Sequence, residues 1–195
     1  MSCHNRLMIA PKLLVIRGNS GSGKSSLARE IRARYGRGCA LVEQDYLRRI
    51  VLRAHEASGD PPSAAPALIA SVCTFALANG YHVILEGILA ADRYATMLHD
   101  LIAGHAGPSY VYYMDISYEE TIRRHAMRPQ RDAFTAEDMR GWYRDSDPLG
   151  VPGEHIIGEA STFEQSVEFI LATSQLLDDS PLISAKLTDG TVTSG

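Results

Sequence analysis

The sequence has no excess of positive charge. Its 195 residues include 19 Lys and Arg against 23 Asp and Glu, which gives a formal net charge of −4. A chain of this charge gains little from bulk electrostatic attraction to a nucleic-acid backbone. Nucleic acid is therefore not the expected partner.

Disulfide frameworks, long apolar runs and metal-binding spacings are also missing. The three cysteines are odd in number and far apart, which implies a reducing compartment. No apolar run reaches the length that spans a bilayer, and the first residues lack the apolar region of a signal peptide. The seven histidines show no H-E-x-x-H or similar spacing. We expect a cytoplasmic protein with no membrane partner and no structural metal.

What the sequence does contain is an alternation of strand-like and helix-like segments. Apolar runs predict strands at 13–17, 40–43, 82–85 and 110–115, and a weaker one at 154–158. Helical periodicity predicts helices at 24–35, 46–57, 64–78, 92–103, 118–126, 136–143 and 162–177. Such alternation places helices on both faces of a parallel sheet. The predicted fold class is α/β with a five-stranded sheet.

We predict a single domain over residues 1–195. The hydrophobic content of 45% is enough for a core that buries roughly 70% of the unfolded surface at this size. Residues 179–195 show little periodicity and many small polar side chains, so this tail is expected to be flexible.

A glycine-rich loop joins the first predicted strand to the first predicted helix. Residues 18–25, GNSGSGKS, match the pattern G-x-x-x-x-G-K-[ST]. Glycines permit positive φ, so consecutive N–H groups turn inward around a phosphate at the positive end of the helix. The residues expected to bind the nucleotide are Gly18, Asn19, Ser20, Gly21, Ser22, Gly23, Lys24, Ser25 and Ser26.

Two side chains of this loop have specific roles in the prediction. Lys24 reaches the β- and γ-phosphate oxygens and is a catalytic candidate, whereas the Ser25 hydroxyl is placed to ligate Mg²⁺. A flexible Gly/Ser loop is the alternative, but the strand, the full spacing and the helix together favour phosphate binding. A dinucleotide-binding turn would need glycines at 19, 20 and 22. ATP and Mg²⁺ are therefore the predicted cofactors.

A phosphate-binding loop serves kinases, motors and switches alike. At 195 residues the chain has little room for a motor core with its assembly surfaces, and it contains no guanine-reading N-K-x-D sequence. These two observations favour a compact small-molecule kinase.

Four segments occur in a familiar order: GNSGSGKSS, VEQDYLRR, VILEGIL and DISYEETIRRHAMRP. In them the chain resembles the P-loop kinases of small molecules, in particular the group of chloramphenicol phosphotransferase and zeta-toxin-like kinases, also described as AAA family ATPases. The resemblance covers most of residues 12–175. It implies a P-loop NTPase fold, a sheet sandwiched between helices as in nucleoside kinases, and a helical lid at about 124–147. It does not identify the substrate.

The second segment places Asp45 just after the second predicted strand, at the sheet edge where ligands of α/β proteins bind. The resemblance implies that Asp45 faces the acceptor hydroxyl, where a carboxylate orients the hydroxyl and accepts its proton. The alternative is that Asp45 is the N-cap of helix 46–57. Arg48 is a candidate to bind substrate or to stabilise Asp45, with a solvated helix face as the alternative.

The third segment ends a buried strand with Glu86, where an acid is unexpected unless it has a partner. The resemblance permits Glu86 either to hold a Mg²⁺-bound water opposite Ser25 or to accept a hydrogen bond from the substrate. The alternative is a structural carboxylate that caps the next loop.

The fourth segment opens an arginine-rich region with six arginines at 123, 124, 128, 131, 140 and 144. The resemblance implies a lid whose arginines neutralise the phosphates and exclude water. Arg124 and Arg128 are the catalytic candidates because they are an i, i+4 pair on one helix face. The alternative, ion pairing with Glu119 and Glu120 on a solvated helix, explains Arg123 better than Arg128.

The sequence therefore predicts an ATP- and Mg²⁺-dependent kinase that phosphorylates a hydroxyl of a small molecule such as a nucleoside, sugar or antibiotic. Alternatives are a polynucleotide 5'-hydroxyl kinase, a nucleotide-gated regulatory ATPase and a toxin-type sugar-nucleotide kinase. The acceptor, the choice between ATP and GTP, and the choice between monomer and homodimer stay open.

Overall fold

The computed structural model describes residues 10–54, 64–127 and 135–178. Its centre is a sheet of five parallel strands in the order β2-β3-β1-β4-β5. The predicted parallel sheet is confirmed, with small shifts at the strand ends. The strands are β1 (Leu13–Gly18), β2 (Cys39–Glu43), β3 (His82–Gly87), β4 (Ser109–Asp115) and β5 (His155–Gly158).

In the described residues six α-helices connect and cover the strands, and a short 3₁₀ turn, Leu176–Asp178, follows α6. They begin and end close to the predicted positions. The helices are α1 (Lys24–Tyr35), α2 (Ala65–Ala78), α3 (Ala91–Ala103), α4 (Tyr118–Ala126), α5 (Ala136–Trp142) and α6 (Phe163–Ser174). No helix within the described ranges is long and apolar enough to cross a membrane.

The two faces of β1 support two separate cores. Leu14 and Ile16 pack with residues of α1 and α6, whereas Leu13 and Val15 pack with residues of α2 and α3. Successive strand residues point to opposite faces, so a central strand covered on both sides becomes apolar at every position. This three-layer arrangement is the predicted α/β class, a P-loop NTPase-like fold.

The predicted helix 46–57 is wrong in kind and in its end. Tyr46–Val51 is wound as a π-helix, with the N–H of Leu52 donating to the carbonyl of Leu47 five residues earlier. Arg53 has a φ of 52°, a left-handed conformation that interrupts helical winding. The last predicted positions, 55–57, lie outside the described residues.

Strand register brings the candidate site together. Glu86 of β3 pairs with Ile16 of β1 on one side and with Glu43 of β2 on the other. In a parallel sheet all the carboxyl ends meet at one edge. The loop after β1, the acid near the end of β3 and the segment after β2 therefore share that edge.

Candidate active site

The loop between β1 and α1 has the backbone of a phosphate-binding loop. Gly21 and Gly23 have φ of 85° and 101°, which side-chain-bearing residues rarely adopt. Gly23 precedes α1 without a capping side chain, so the first N–H groups of the helix are available to a ligand. The Oγ of Ser22 is buried and has no hydrogen-bond partner in the described residues. These features fit a bound phosphate.

Lys24 and Ser25 point into the same region from the start of α1. Lys24 is buried, and its Nζ donates to the main-chain carbonyl of Asn19 at 3.1 Å. The Oγ of Ser25 donates to Oε2 of Glu86 at 3.0 Å. Ser20 is half-buried and Ser26 is exposed. The predicted loop residues thus form one continuous turn at the sheet edge.

Glu86 is the buried acid of the site, with 4% of its surface exposed. Burial raises the pKa of its carboxyl group, although Lys24 and the hydrogen bond from Ser25 act in the opposite direction. The carboxylates of Glu43 and Asp45 add to the increase. Three carboxylates, those of Glu43, Asp45 and Glu86, therefore lie close enough to interact at this edge of the sheet, together with the Lys24 ammonium group.

The side chains present fit a magnesium ion. Mg²⁺ prefers oxygen ligands and usually keeps several waters while it binds one or two protein groups and substrate phosphates. Ser25 and Glu86 supply a hydroxyl and a carboxylate within hydrogen-bond distance of each other. Either oxygen, directly or through water, would hold the ion beside the phosphate loop.

Asp45 lies at the start of the π-helical segment and is largely exposed, with 57% of its side chain accessible. Its Oδ1 contacts Arg48 at 3.1 Å and Arg49 at 3.6 Å. Its carboxylate makes no capping hydrogen bond to this segment, whose residues all fall in a described range. The N-cap interpretation therefore has no support in the contacts, and the contact from Arg48 is the one expected of a side chain that stabilises Asp45.

Arg124 links α4 to the phosphate loop. Its Nη1 donates to the carbonyl of Ser22 at 2.9 Å, and its Nε donates to Glu120 at 2.7 Å. Arg123 binds the same Glu120 carboxylate but is directed to solvent, as the ion-pairing interpretation expected. Arg128 lies outside the described residues, so its predicted role stays a prediction.

Sequence reasoning missed a buried polar network beneath the site. Arg17, the β1 residue before Gly18, is fully buried and donates to the Asp147 carboxylate at 2.7 Å and to the Leu89 carbonyl at 3.0 Å. Asp147 also accepts the N–H of Ala91 at the start of α3. An arginine at the end of an otherwise apolar strand was the available signal, because a buried guanidinium requires partners.

Gln44 fixes the loop that follows Glu86. Its Oε1 accepts the N–H of Leu89 at 3.0 Å, and a Cβ at Gly87 would lie within 2.5 Å of the Gln44 side chain. Leu89 has a φ of 46° although it is not glycine. A strained residue of this kind persists only where its surroundings hold it. Gln44, just after β2, and Arg17 of β1 supply that support.

The loop, the Lys24–Ser25 pair and the acid of β3 define a P-loop site on a kinase-like P-loop NTPase fold. The chain belongs to the AAA domain family, whose model matches residues 13–144. No curated protein matches the sequence. The finer resemblance to chloramphenicol phosphotransferase and zeta-toxin-like kinases is not established by these matches.

Several solved structures share the fold. The APS kinase of Mycobacterium tuberculosis with AMPPNP and APS has a TM-score of 0.66 and 16% identity, over 88% of this chain and 99% of the other. A gluconokinase from Sinorhizobium meliloti 1021 has a TM-score of 0.61 and 19% identity, over 93% and 99%. A sugar kinase from Janibacter sp. HTCC2649 has a TM-score of 0.61 and 18% identity, over 88% and 96%. At these identities the likeness establishes the fold.

Proposed function

We propose that this protein is an ATP- and Mg²⁺-dependent kinase that transfers the γ-phosphoryl group to a hydroxyl of a small molecule. The observation that carries the proposal is the hydrogen bond from Ser25 to Glu86, which joins the phosphate loop to a buried acid. The largely exposed Asp45 lies at the same edge of the sheet. Phosphoryl transfer to an alcohol in kinases uses a bound triphosphate and a carboxylate that accepts the proton of the substrate hydroxyl.

The division of roles follows from the positions of these side chains. Lys24, at the first position of α1, binds the β- and γ-phosphates and stabilises the charge that shifts between them during transfer. A bound Mg²⁺ would supply further neutralisation of the phosphate charge. Ser25 and Glu86 orient that ion, and Asp45 orients the acceptor hydroxyl and accepts its proton. Arg124 reaches the loop from α4 and adds positive charge beside it.

The fold neighbours are consistent with this proposal because three of them are called kinases of APS, gluconate or a sugar. All three names refer to small molecules. A small-molecule acceptor is therefore preferred here over a polynucleotide end. The negative net charge of the chain favours the same choice.

The test is a screen for acceptor-dependent ADP release. The purified protein is incubated with Mg·ATP and single members of a library of nucleosides, sugars and hydroxylated antibiotics. Oligonucleotides with a 5'-hydroxyl and sugar nucleotides are included to represent the alternative kinases. The Lys24→Ala variant provides the background for each compound. If the protein hydrolyses ATP and no compound accelerates the release of ADP, the result would contradict the proposed kinase activity and support a regulatory ATPase.

A further inference from the structure

Asn19, the second residue of the phosphate loop, makes an unusual pair of contacts. Its side chain is buried, with 3% exposed. Its Nδ2 donates to the carbonyl of Arg144 at 2.8 Å, and its Oδ1 accepts the N–H of the same residue at 3.0 Å. One amide side chain thus satisfies both polar groups of one peptide residue 125 positions away. We call this pair the Asn19 clamp.

The main chain of Asn19 supports the loop at the same time. Its carbonyl accepts the Nζ of Lys24 at 3.1 Å and the N–H of Ser22 at 3.2 Å. A carbonyl that receives two donors fixes the direction in which the ammonium group points. The clamp holds the side chain of this residue, so the orientation of its carbonyl depends on the position of Arg144.

The segment that receives the clamp is itself held firmly. The Arg144 side chain pairs with Asp92 of α3 at 2.9 Å. Three residues later, the Asp147 carboxylate binds the buried guanidinium of Arg17 at 2.7 Å. The main-chain N–H of Asp147 donates to the Tyr113 hydroxyl. The clamp therefore connects the phosphate loop to a segment that is itself bonded to β1, β4 and α3.

We infer that Asn19 is a positioning residue that sets the place of Lys24 and so the preference of the site for a nucleoside triphosphate over a diphosphate. The inference rests on the proposed function, because it assumes that Lys24 meets the γ-phosphate. Without the clamp the Asn19 main chain is held by fewer contacts, with the Ser22 N–H as the remaining backbone donor to its carbonyl, and Lys24 is less firmly held in the position from which it reaches that phosphate. A diphosphate lacks this contact and is affected less.

The main experiment measures the dissociation constants of Mg·AMPPNP and Mg·ADP by titration calorimetry, well below the thermal midpoint of each variant. Asn19→Leu keeps the size of the side chain and removes both hydrogen bonds. We expect the preference for AMPPNP over ADP to fall by on the order of tenfold, the usual effect of weakening a hydrogen bond to a charged group. A merely structural role would lower stability, or weaken both nucleotides equally, and leave this ratio unchanged.

A second pair of variants tests the clamp from the other side. Arg144→Pro removes the N–H that donates to Asn19, and the extended backbone of Tyr143 (φ −68°, ψ 137°) is compatible with a following proline. Arg144→Ala is the matched control because it removes the ion pair with Asp92 and keeps the N–H. We expect Arg144→Pro alone to lose nucleotide preference.

Two results would overturn the inference. The first is a folded Asn19→Leu variant whose ratio of ADP to AMPPNP dissociation constants equals that of the wild type. The second is an equal ratio in Arg144→Pro and Arg144→Ala. The second comparison decides the question if Asn19→Leu does not fold. A wild-type protein that binds neither nucleotide would contradict the proposed function, and the inference with it. If the wild type binds both nucleotides and the variants keep its preference for AMPPNP over ADP, the result would contradict the inference and leave the proposed function in place.

Discussion

The hydroxyl of Ser25 donates to the carboxylate of Glu86 across 3.0 Å, from the first turn of α1 to the buried end of β3. This contact places an acid at a position where burial raises its pKa above the ordinary value of 4.5. The folded protein therefore disfavours the ionised form that the proposed magnesium binding would require. Stability and function make opposite demands on this residue.

Glu86→Gln is expected to stabilise the nucleotide-free protein at neutral pH. Because the pKa of Glu86 is raised in the folded state, its contribution to stability is most favourable below 4.5 and is lost as pH rises through the folded value. The glutamine side chain does not ionise, so the variant does not lose stability as pH rises above 4.5. Its thermal midpoint should therefore vary less with pH than that of the wild type. Metal-dependent turnover should fall by at least about tenfold. A lower midpoint at neutral pH would contradict the prediction.

Lys24→Ala is expected to lower acceptor-dependent turnover by about two orders of magnitude or more, because it removes a charge that meets the breaking β,γ-bond. The fold should survive, since Lys24 lies in the first turn of α1 and outside both apolar cores. Circular dichroism and turnover are measured on the same preparation. Near-normal turnover in the folded variant would mean that this loop is not the phosphate site.

Asp45→Asn is expected to lower transfer to the acceptor by roughly 100-fold while ATP binding persists, because the amide cannot accept the proton. The free energy of unfolding should change by less than about 0.5 kcal/mol, since exposed ion pairs such as those with Arg48 and Arg49 contribute little. Turnover, ATP affinity and thermal midpoint are measured on Asn and Ala variants. Wild-type turnover in the Asn variant would remove Asp45 from the catalytic group.

Arg124→Ala and Arg123→Ala form a matched pair, because both arginines bind Glu120 and only Arg124 reaches the Ser22 carbonyl. We expect Arg124→Ala to lower turnover by about tenfold or more, since it removes positive charge next to the phosphate loop. Arg123→Ala should have little effect. Equal losses in the two variants would mean that Glu120, and not the loop contact, mediates the effect.

Arg128→Ala addresses a residue outside the described part of the chain, where the assignment rests on sequence alone. We expect it to depress kcat more than it weakens ATP affinity, because the arginine is proposed to meet charge that develops during transfer. Steady-state kinetics and equilibrium ATP binding separate the two quantities. Equal losses of kcat and ATP affinity would indicate a general nucleotide-binding residue. No loss in either would support the alternative interpretation, in which Arg128 belongs to a solvated helix face.

The sequence predicted the features that depend on local spacing. The glycine pattern, the apolar runs and the helical periodicity each report on neighbouring residues, and the sheet and the phosphate loop followed from them. The π-helical segment Tyr46–Val51 was not predictable in this way, because an apolar period does not distinguish bonds to the fourth residue from bonds to the fifth.

The contacts that hold the site in place depend on distant parts of the chain. Asn19 and Arg144 are 125 positions apart, and Arg17 and Asp147 are 130 apart. Local sequence periodicity does not predict contacts between such distant residues, and an asparagine in a loop does not indicate which residue it will bind. Arg17 was the exception, because a charged residue at the end of the apolar run LLVI indicates that a polar partner lies nearby in the fold.

The position of Trp142 has a practical consequence. It is the only tryptophan of the chain, it ends α5 two residues before the clamp, and 39% of its surface is exposed. Its indole therefore emits from a single place, two residues before the main chain that is bonded to Asn19, and its fluorescence needs no correction for other tryptophans. Ultraviolet excitation of the unlabelled protein provides an optical signal from the end of α5 when nucleotide is added.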